Sequence, residues 1–356
     1  MPVRAILTFA VLLLLNAPLR AQDLSITPMV EGLRSPWAIG FLPDGGVLVT
    51  EKAGRLLFFV QPGATPIEVS GLPEIHVQGQ GGLLDVMIPR NFTESRRVWL
   101  SFAAAARRGA GTAAGYGQLS ADGTRLEGFR MVHPPMAAGG GRHFGSRLVE
   151  GVDGTVFLTT GDRGQGSPAQ DPARAEGKVL AFGPDGMVLT DDAGAVPGLY
   201  SLGHRNIQGA ALDLEGNLWV VEHGARGGDE LNRIQRGQNY GWPVISYGMN
   251  YDGSRIGEGQ RKEGMEQPVL YWDPSIAPSG LVVHSGRMFP DWKGNFFTGS
   301  LNSDFISRID PGDGYSEERI QSEETARVRD IVEAPDGAIW FLSETRGIAY
   351  RIAPRR

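Results

Sequence analysis

Residues 42–51 read LPDGGVLVTE: a proline, an acid and two glycines, then apolar and β-branched residues, then a polar end. Pro-Asp-Gly-Gly is turn chemistry. Proline presets φ, aspartate hydrogen-bonds the backbone two residues on, and glycine tolerates positive φ. Val-Leu-Val-Thr suits a pleated, buried surface. The same grammar returns at 151–160 (GVDGTVFLTT), 213–222 (DLEGNLWVVE), 291–300 (DWKGNFFTGS) and 334–343 (APDGAIWFLS). A turn-plus-strand unit repeated at unequal spacing predicts a radial all-β array, a β-propeller.

Helical periodicity is scarce, with Ala103–Ala106 and the DELNRI segment (229–234) as the candidates. The N-terminus carries Arg4, an apolar run over 5–15 and Ala21 ahead of Gln22, the pattern of a bacterial secretory signal over 1–21. That run is too short to be a good membrane span. The mature chain is therefore expected to be periplasmic or secreted, with no membrane span. Roughly 335 residues remain, and at about 40–60 per blade they predict a single six-bladed propeller over 22–356. No Pro-, Ser- or Gly-rich linker divides the chain. Residues 24–30 are expected to pair with the last strand, 347–353, and so close the ring and remove exposed edges.

Composition narrows the function classes. The 51 glycines and 23 prolines are spread along the chain, as many turns between short strands require. A net charge of −6 argues against a nucleic-acid partner. Without cysteine, disulfides and thiol chemistry are excluded. No Gly-x-Ser-x-Gly elbow, P-loop or zinc spacing is present, and His76, His133, His223 and His284 stand in no metal-binding pattern.

The densest chemistry lies in 201–243, SLGHRNIQGAALDLEGNLWVVEHGARGGDELNRIQRGQNYGWP. A glycine-rich turn carrying Asp229 and Glu230 offers carbonyls and carboxylates to a hard cation such as calcium. Arg205-Asn206 just before it can bind an anion through a guanidinium fork and an amide. A plain surface loop is the competing reading. Elsewhere, glycines around Gln80 allow close approach, and His143 is followed after one strand by Asp162 in a Gly-Asp-x-Gly turn. A carboxylate beside an imidazole is a sound general-base arrangement. Residues 268–272 (PVLYW) read either as an aromatic wall or as core. Strand alternation puts Arg327 and Arg329 on one face, where they need protein acids or a polycarboxylate ligand.

Taken together, SPWAIGFLPDG, GQGGLLDV, RHFGSRL with TTGDRG, GHRN, EHG-(x)5-ELN with NYGWP, and RVRD-(x)3-APDG resemble the soluble PQQ-dependent aldose sugar dehydrogenases, the glucose/sorbosone dehydrogenase family, from about Leu33 to Arg351. The resemblance implies a six-bladed propeller binding pyrroloquinoline quinone (PQQ) and Ca2+. Such an enzyme oxidises the C1 hydroxyl of aldose sugars to lactones, passes electrons to an external acceptor, and works as a monomer or homodimer. By position, His143 matches the general base and Asp162 the acid beside it. Gln80, Arg205, Asn206, Tyr251, Asn302, Arg327 and Arg329 match cofactor contacts. Gly224, Ala225, Glu230 and Tyr240 match calcium positions. Two residues depart from the family pattern: Ala225 replaces a proline but keeps the carbonyl, and Asn302 replaces a lysine and so cannot neutralise an anion. A calcium-dependent lactonase-type hydrolase and a non-catalytic sugar- or protein-binding propeller are the alternatives on the same scaffold.

Overall fold

The computed structural model describes residues 24–136, 139–189 and 192–355; the expected signal segment lies outside them. Among the described residues are six four-stranded antiparallel sheets. Their innermost strands are Pro36–Phe41, Leu83–Met87, Gly145–Glu150, Ile207–Leu212, Pro278–Val283 and Val328–Glu333. Each packs beside the next, and the last beside the first, which makes the six-bladed propeller that the repeat predicted. The ring closes as expected: Leu24–Val30 is the outermost strand of the sixth blade, antiparallel to Ile348–Pro354, so both chain ends share one sheet.

The five sequence repeats are the second strands of five blades: Val47–Glu51, Val156–Thr160, Leu218–Glu222, Phe296–Ser300 and Ile339–Ser343. Four of the turns before them are fastened by the aspartate itself. Asp44, Asp153, Asp213 and Asp336 each accept from the backbone N–H two residues on. The remaining blade uses Arg97–Ala105, preceded by the one-turn helix Phe92–Ser95.

Both helical candidates are strands. Ala103–Ala105 ends Arg97–Ala105, which pairs with Leu83–Met87 on one side and Ala110–Leu119 on the other. Asp229–Ile234 likewise lies between two strands of its sheet. Two-sided ladder bonding and burial override the local helix preference of Ala, Glu, Leu and Arg.

Every inner strand has a register irregularity near its N-terminal end, between Pro36 and Ala38, Leu83 and Val86, Gly145 and Leu148, Ile207 and Gly209, Ser279 and Val282, and Val328 and Asp330. Bulges re-aim side chains, and here they ring one end of the propeller axis. Below them the inner strands are tied by one buried cation. Arg147 bonds Asp330 at 2.8 Å and reaches Asp85 at 3.5 Å, donates to the Gln208 carbonyl, and lies over Trp37. Asp330 also accepts from the Ile39 N–H, and Asp85 from that of Leu148.

Candidate active site

His143 projects from the loop before the third blade with φ of 55°. Its backbone N–H donates to Gln80 Oε1 at 2.7 Å. A side chain at Gly161 would collide with the His143 carbonyl, so glycine there permits the close approach. Arg163 holds the loop from beneath. Its guanidinium donates to the carbonyls of Ala110, Gly140 and Arg142 and lies over the Phe144 ring.

Asp162 is buried at the end of strand Val156–Thr160. Its Oδ1 accepts from His143 Nδ1 at 2.6 Å and from the Gly164 N–H. Its Oδ2 accepts from Trp242 Nε1 at 2.8 Å and from the Gly166 N–H. Burial works to raise this carboxyl, but the His143 bond and charge and the other donors outweigh it and hold it low. An ionised Asp162 places the proton on Nδ1, which leaves Nε2 as a free base. Burial pushes the His143 pKa below its ordinary value; Asp162 opposes this, and the Arg205 charge adds to it. The imidazole is therefore neutral at pH 7.

Beside the dyad, on the axis, is a cavity of about 220 Å³ to which all six blades contribute. Gln80, Asn206, Asn302, Arg327 and Arg329 line it, with Phe144 and Gly145, the two residues after His143. Arg327 precedes its strand and has φ of 49°, so the expected strand alternation does not apply to it. The two guanidiniums still converge: Arg327 Nε and Arg329 Nη2 both lie 2.9 Å from Glu344 Oε2. Glu344 is the protein acid that the pair requires.

Next to this cavity a void of about 10 Å³, room for one water or one ion, is lined by Arg205, Glu222, Gly224, Glu230, Tyr240 and Trp242 among others. Burial pushes the Glu230 carboxyl up to about 8, with the Glu222 charge adding to it. Two carboxylates around an ion-sized void form a donor set that fits an oxygen-loving cation. Arg205 Nε is buried with no protein partner, an orphan donor that fits an anionic ligand. Asp229 and Glu230 do not face the turn together, because neighbours on a strand point to opposite faces. Asp229 instead locks the turn, accepting from the Gly224 N–H with one oxygen and from Ser275 Oγ, Ile276 N–H and Ala277 N–H with the other. The Tyr240 hydroxyl is engaged by Arg233 and Gln235, and its ring stacks on His204.

The structure thus brings together every proposed site residue except Tyr251, which is exposed and lines neither cavity, and Ala225, which is buried in the turn beside Gly224. Trp272 is core, whereas Tyr271 is exposed and stacks on Tyr247. Trp242, Glu344 and Lys52 were missed as site residues, although Trp242 stands within the quoted NYGWP. Ser201, His204 and Glu222 have the connectivity of a hydrolase triad, with contacts of 2.9 Å and 2.9 Å. Both Ser201 and His204 are fully buried, so no substrate reaches that hydroxyl.

Fold and site together define a propeller with a neutral histidine bonded to an aspartate, a cationic axial cavity and an oxygen-lined, ion-sized void. The chain belongs to the Glucose / Sorbosone dehydrogenase family, whose profile matches residues 33–351. It is 39% identical over 345 residues to aldose sugar dehydrogenase YliI of Escherichia coli, covering 93% of each chain. It is 25% identical to quinoprotein glucose dehydrogenase B of Acinetobacter calcoaceticus, covering 93% of this chain and 87% of that one. The crystal structure of the soluble E. coli aldose sugar dehydrogenase in its apo form superposes with a TM-score of 0.87 at 37% identity, over 93% of this chain and 100% of the other.

Proposed function

We propose that this chain is a PQQ- and calcium-dependent dehydrogenase that oxidises the C1 hydroxyl of aldose sugars to lactones, with His143 as general base. The observation that carries the reading is the Asp162–His143 pair, whose histidine is bonded through its backbone to Gln80 and followed in the chain by Phe144 and Gly145, all three lining a cavity walled by guanidiniums and amides. Gln80, Arg205, Asn206, Asn302, Arg327 and Arg329 would hold the cofactor, and Gly224, Glu230 and Tyr240 the calcium. Bound there, the quinone supplies a two-electron hydride acceptor and the calcium a Lewis acid at its carbonyls.

His143 Nε2 takes the proton of the C1 hydroxyl as the C1 hydrogen departs with its electron pair, and the C1–O bond becomes the lactone carbonyl. Asp162 keeps the imidazole oriented and stabilises the charge it acquires. Phe144, Trp37 and Leu84 exclude water from one side of the cavity. Residues 1–21 are read as the signal that sends the enzyme to the periplasm or beyond. Among the described residues no helix is long and apolar enough to cross a membrane.

The test is product identity. Protein reconstituted with PQQ and calcium, given an aldose and a redox dye, should yield a lactone trapped as its hydroxamate by hydroxylamine. An oxidised product carrying its new carbonyl elsewhere than C1 would overturn the assignment.

A further inference from the structure

The charged groups lining the axial cavity are Lys52, Arg327, Arg329 and Glu344. Glu344 is shared by the two arginines through one oxygen, so a single carboxylate is divided between two guanidiniums. Arg327 also donates to the Leu301 carbonyl and Arg329 to Gln208 Oε1. Lys52 differs from both. Among the described residues it has no ion pair, and its Nζ donates only to the Gly79 carbonyl at 3.3 Å. Its neighbour Glu51 is already engaged by the Arg34 N–H and Arg55.

The lysine is also seated. Its carbonyl oxygen lies where a Gly82 side chain would be, with its Cγ close by, so the residue rests against bare backbone, and the same carbonyl accepts from the Leu83 N–H. Two blades away along the ring, Asn302 lines the cavity but offers no charge. Its amide is bound to the Ser275 carbonyl and its oxygen accepts from the Ser303 hydroxyl. Among the described residues the cations lining this cavity come from the first and sixth blades, and of these Lys52 is the one without an acid.

We propose that Lys52 is a cofactor-binding residue: its ammonium holds a carboxylate of the polyanionic quinone and supplies the charge that Asn302 lacks. This rests on the functional reading above. A charge-assisted contact to a carboxylate is among the stronger single interactions, and a compact ammonium on a flexible stem reaches an anion without the geometric demand of a guanidinium.

The test is equilibrium binding, read apart from turnover. PQQ is titrated into calcium-loaded apo-protein and followed by its absorbance and by quenching of tryptophan fluorescence. Lys52→Met and Lys52→Gln are expected to weaken Kd about tenfold or more, and Lys52→Arg by less than about threefold. Asn302→Lys in the Lys52→Met background is expected to recover most of the loss. The salt dependence of Kd should flatten in Lys52→Met, because one screened charge contact is gone. Lys52 is half-buried with no ion pair, so thermal melts of these variants should match the parent. Parent-like affinity in folded Lys52→Met or Lys52→Gln overturns the role of Lys52 and leaves the functional reading intact. Failure of the parent itself to bind PQQ overturns both.

Discussion

His143 Nδ1 lies 2.6 Å from Asp162 Oδ1, while the other Asp162 oxygen accepts from Trp242 Nε1 80 residues further along the chain. The carboxylate is thus held on both sides, by the imidazole it orients and by an indole from the loop that closes the ion pocket. Trp242 lines that pocket, and the Arg205 guanidinium lies 5.2 Å from its ring centre. His143, Arg205 and the ion-sized void thus share one buttress.

Asp162→Asn keeps the shape but exchanges an acceptor for an amide that cannot fix the Nδ1–H tautomer. The expected outcome in steady-state kinetics is a fall in kcat of about 10²–10⁴ with KM little changed. Trp242→Phe removes one donor to Asp162 and should lower kcat by less.

The pH dependence follows from the direction of the His143 shift. A base must be unprotonated, and its pKa is depressed chiefly by burial. The kcat/KM profile should therefore rise through an acid limb below pH 6.5, the ordinary histidine value, and be level near 7. Asp162 opposes that depression, so in Asp162→Asn the acid limb should move further down. A limb that moves up in this variant contradicts the geometry.

Arg147 is the strut between blades and supports the cavity floor through its bond to the Arg329 carbonyl. Burial pushes the Asp85 carboxyl up to about 7 even though the Arg147 charge draws it down. Arg147→Met strands two buried carboxylates and is expected to destabilise by about 3–5 kcal/mol in urea unfolding. Adding Asp85→Asn and Asp330→Asn should restore part of the loss.

Asp229→Ala leaves Gly224, Ser275, Ile276 and Ala277 without their acceptor. Calcium should raise the melting temperature of the parent, because a ligand bound only to the folded state stabilises it by mass action. In Asp229→Ala the melting temperature should start lower, and the calcium needed for half of the rise should increase severalfold.

His133 is wholly buried on strand Leu126–His133, and burial pushes its pKa down to about 4. A depressed folded-state pKa leaves stability complete above the unfolded value near 6.5 and removes it as pH falls towards 4. The total is on the order of 3 kcal/mol. In His133→Leu, stability should fall less steeply than in the parent between pH 6.5 and 4, measured by urea unfolding at each pH.

Much of this was legible in the chain, for local reasons. Five blades announce themselves because the turn sequence and the strand after it are contiguous, four of them through an aspartate that fastens the turn. The blade of Arg97–Ala105 does not, because the helical turn Phe92–Ser95 replaces the aspartate turn and its alanines resemble a helix. His143 and Asp162 could be paired from sequence because they are close in the chain; the structure shows that a hairpin of two strands, Gly145–Glu150 and Val156–Thr160, joins them rather than the single strand expected. Lys52, Glu344 and Trp242 could not, since their meaning arises only when distant blades meet at the axis. Arg327 shows the limit of periodicity: φ is positive and the side chain lies off the strand's alternation, yet it shares an acid with Arg329.

The most direct test of the central claim is dye-linked oxidation of an aldose panel by apo-protein, with and without PQQ plus calcium, for the parent and His143→Ala. Oxidation by the parent only when both are present, and its near-complete loss in His143→Ala with PQQ affinity unchanged, is the predicted result. Undiminished oxidation in His143→Ala, or none by a parent saturated with PQQ and calcium, would contradict it.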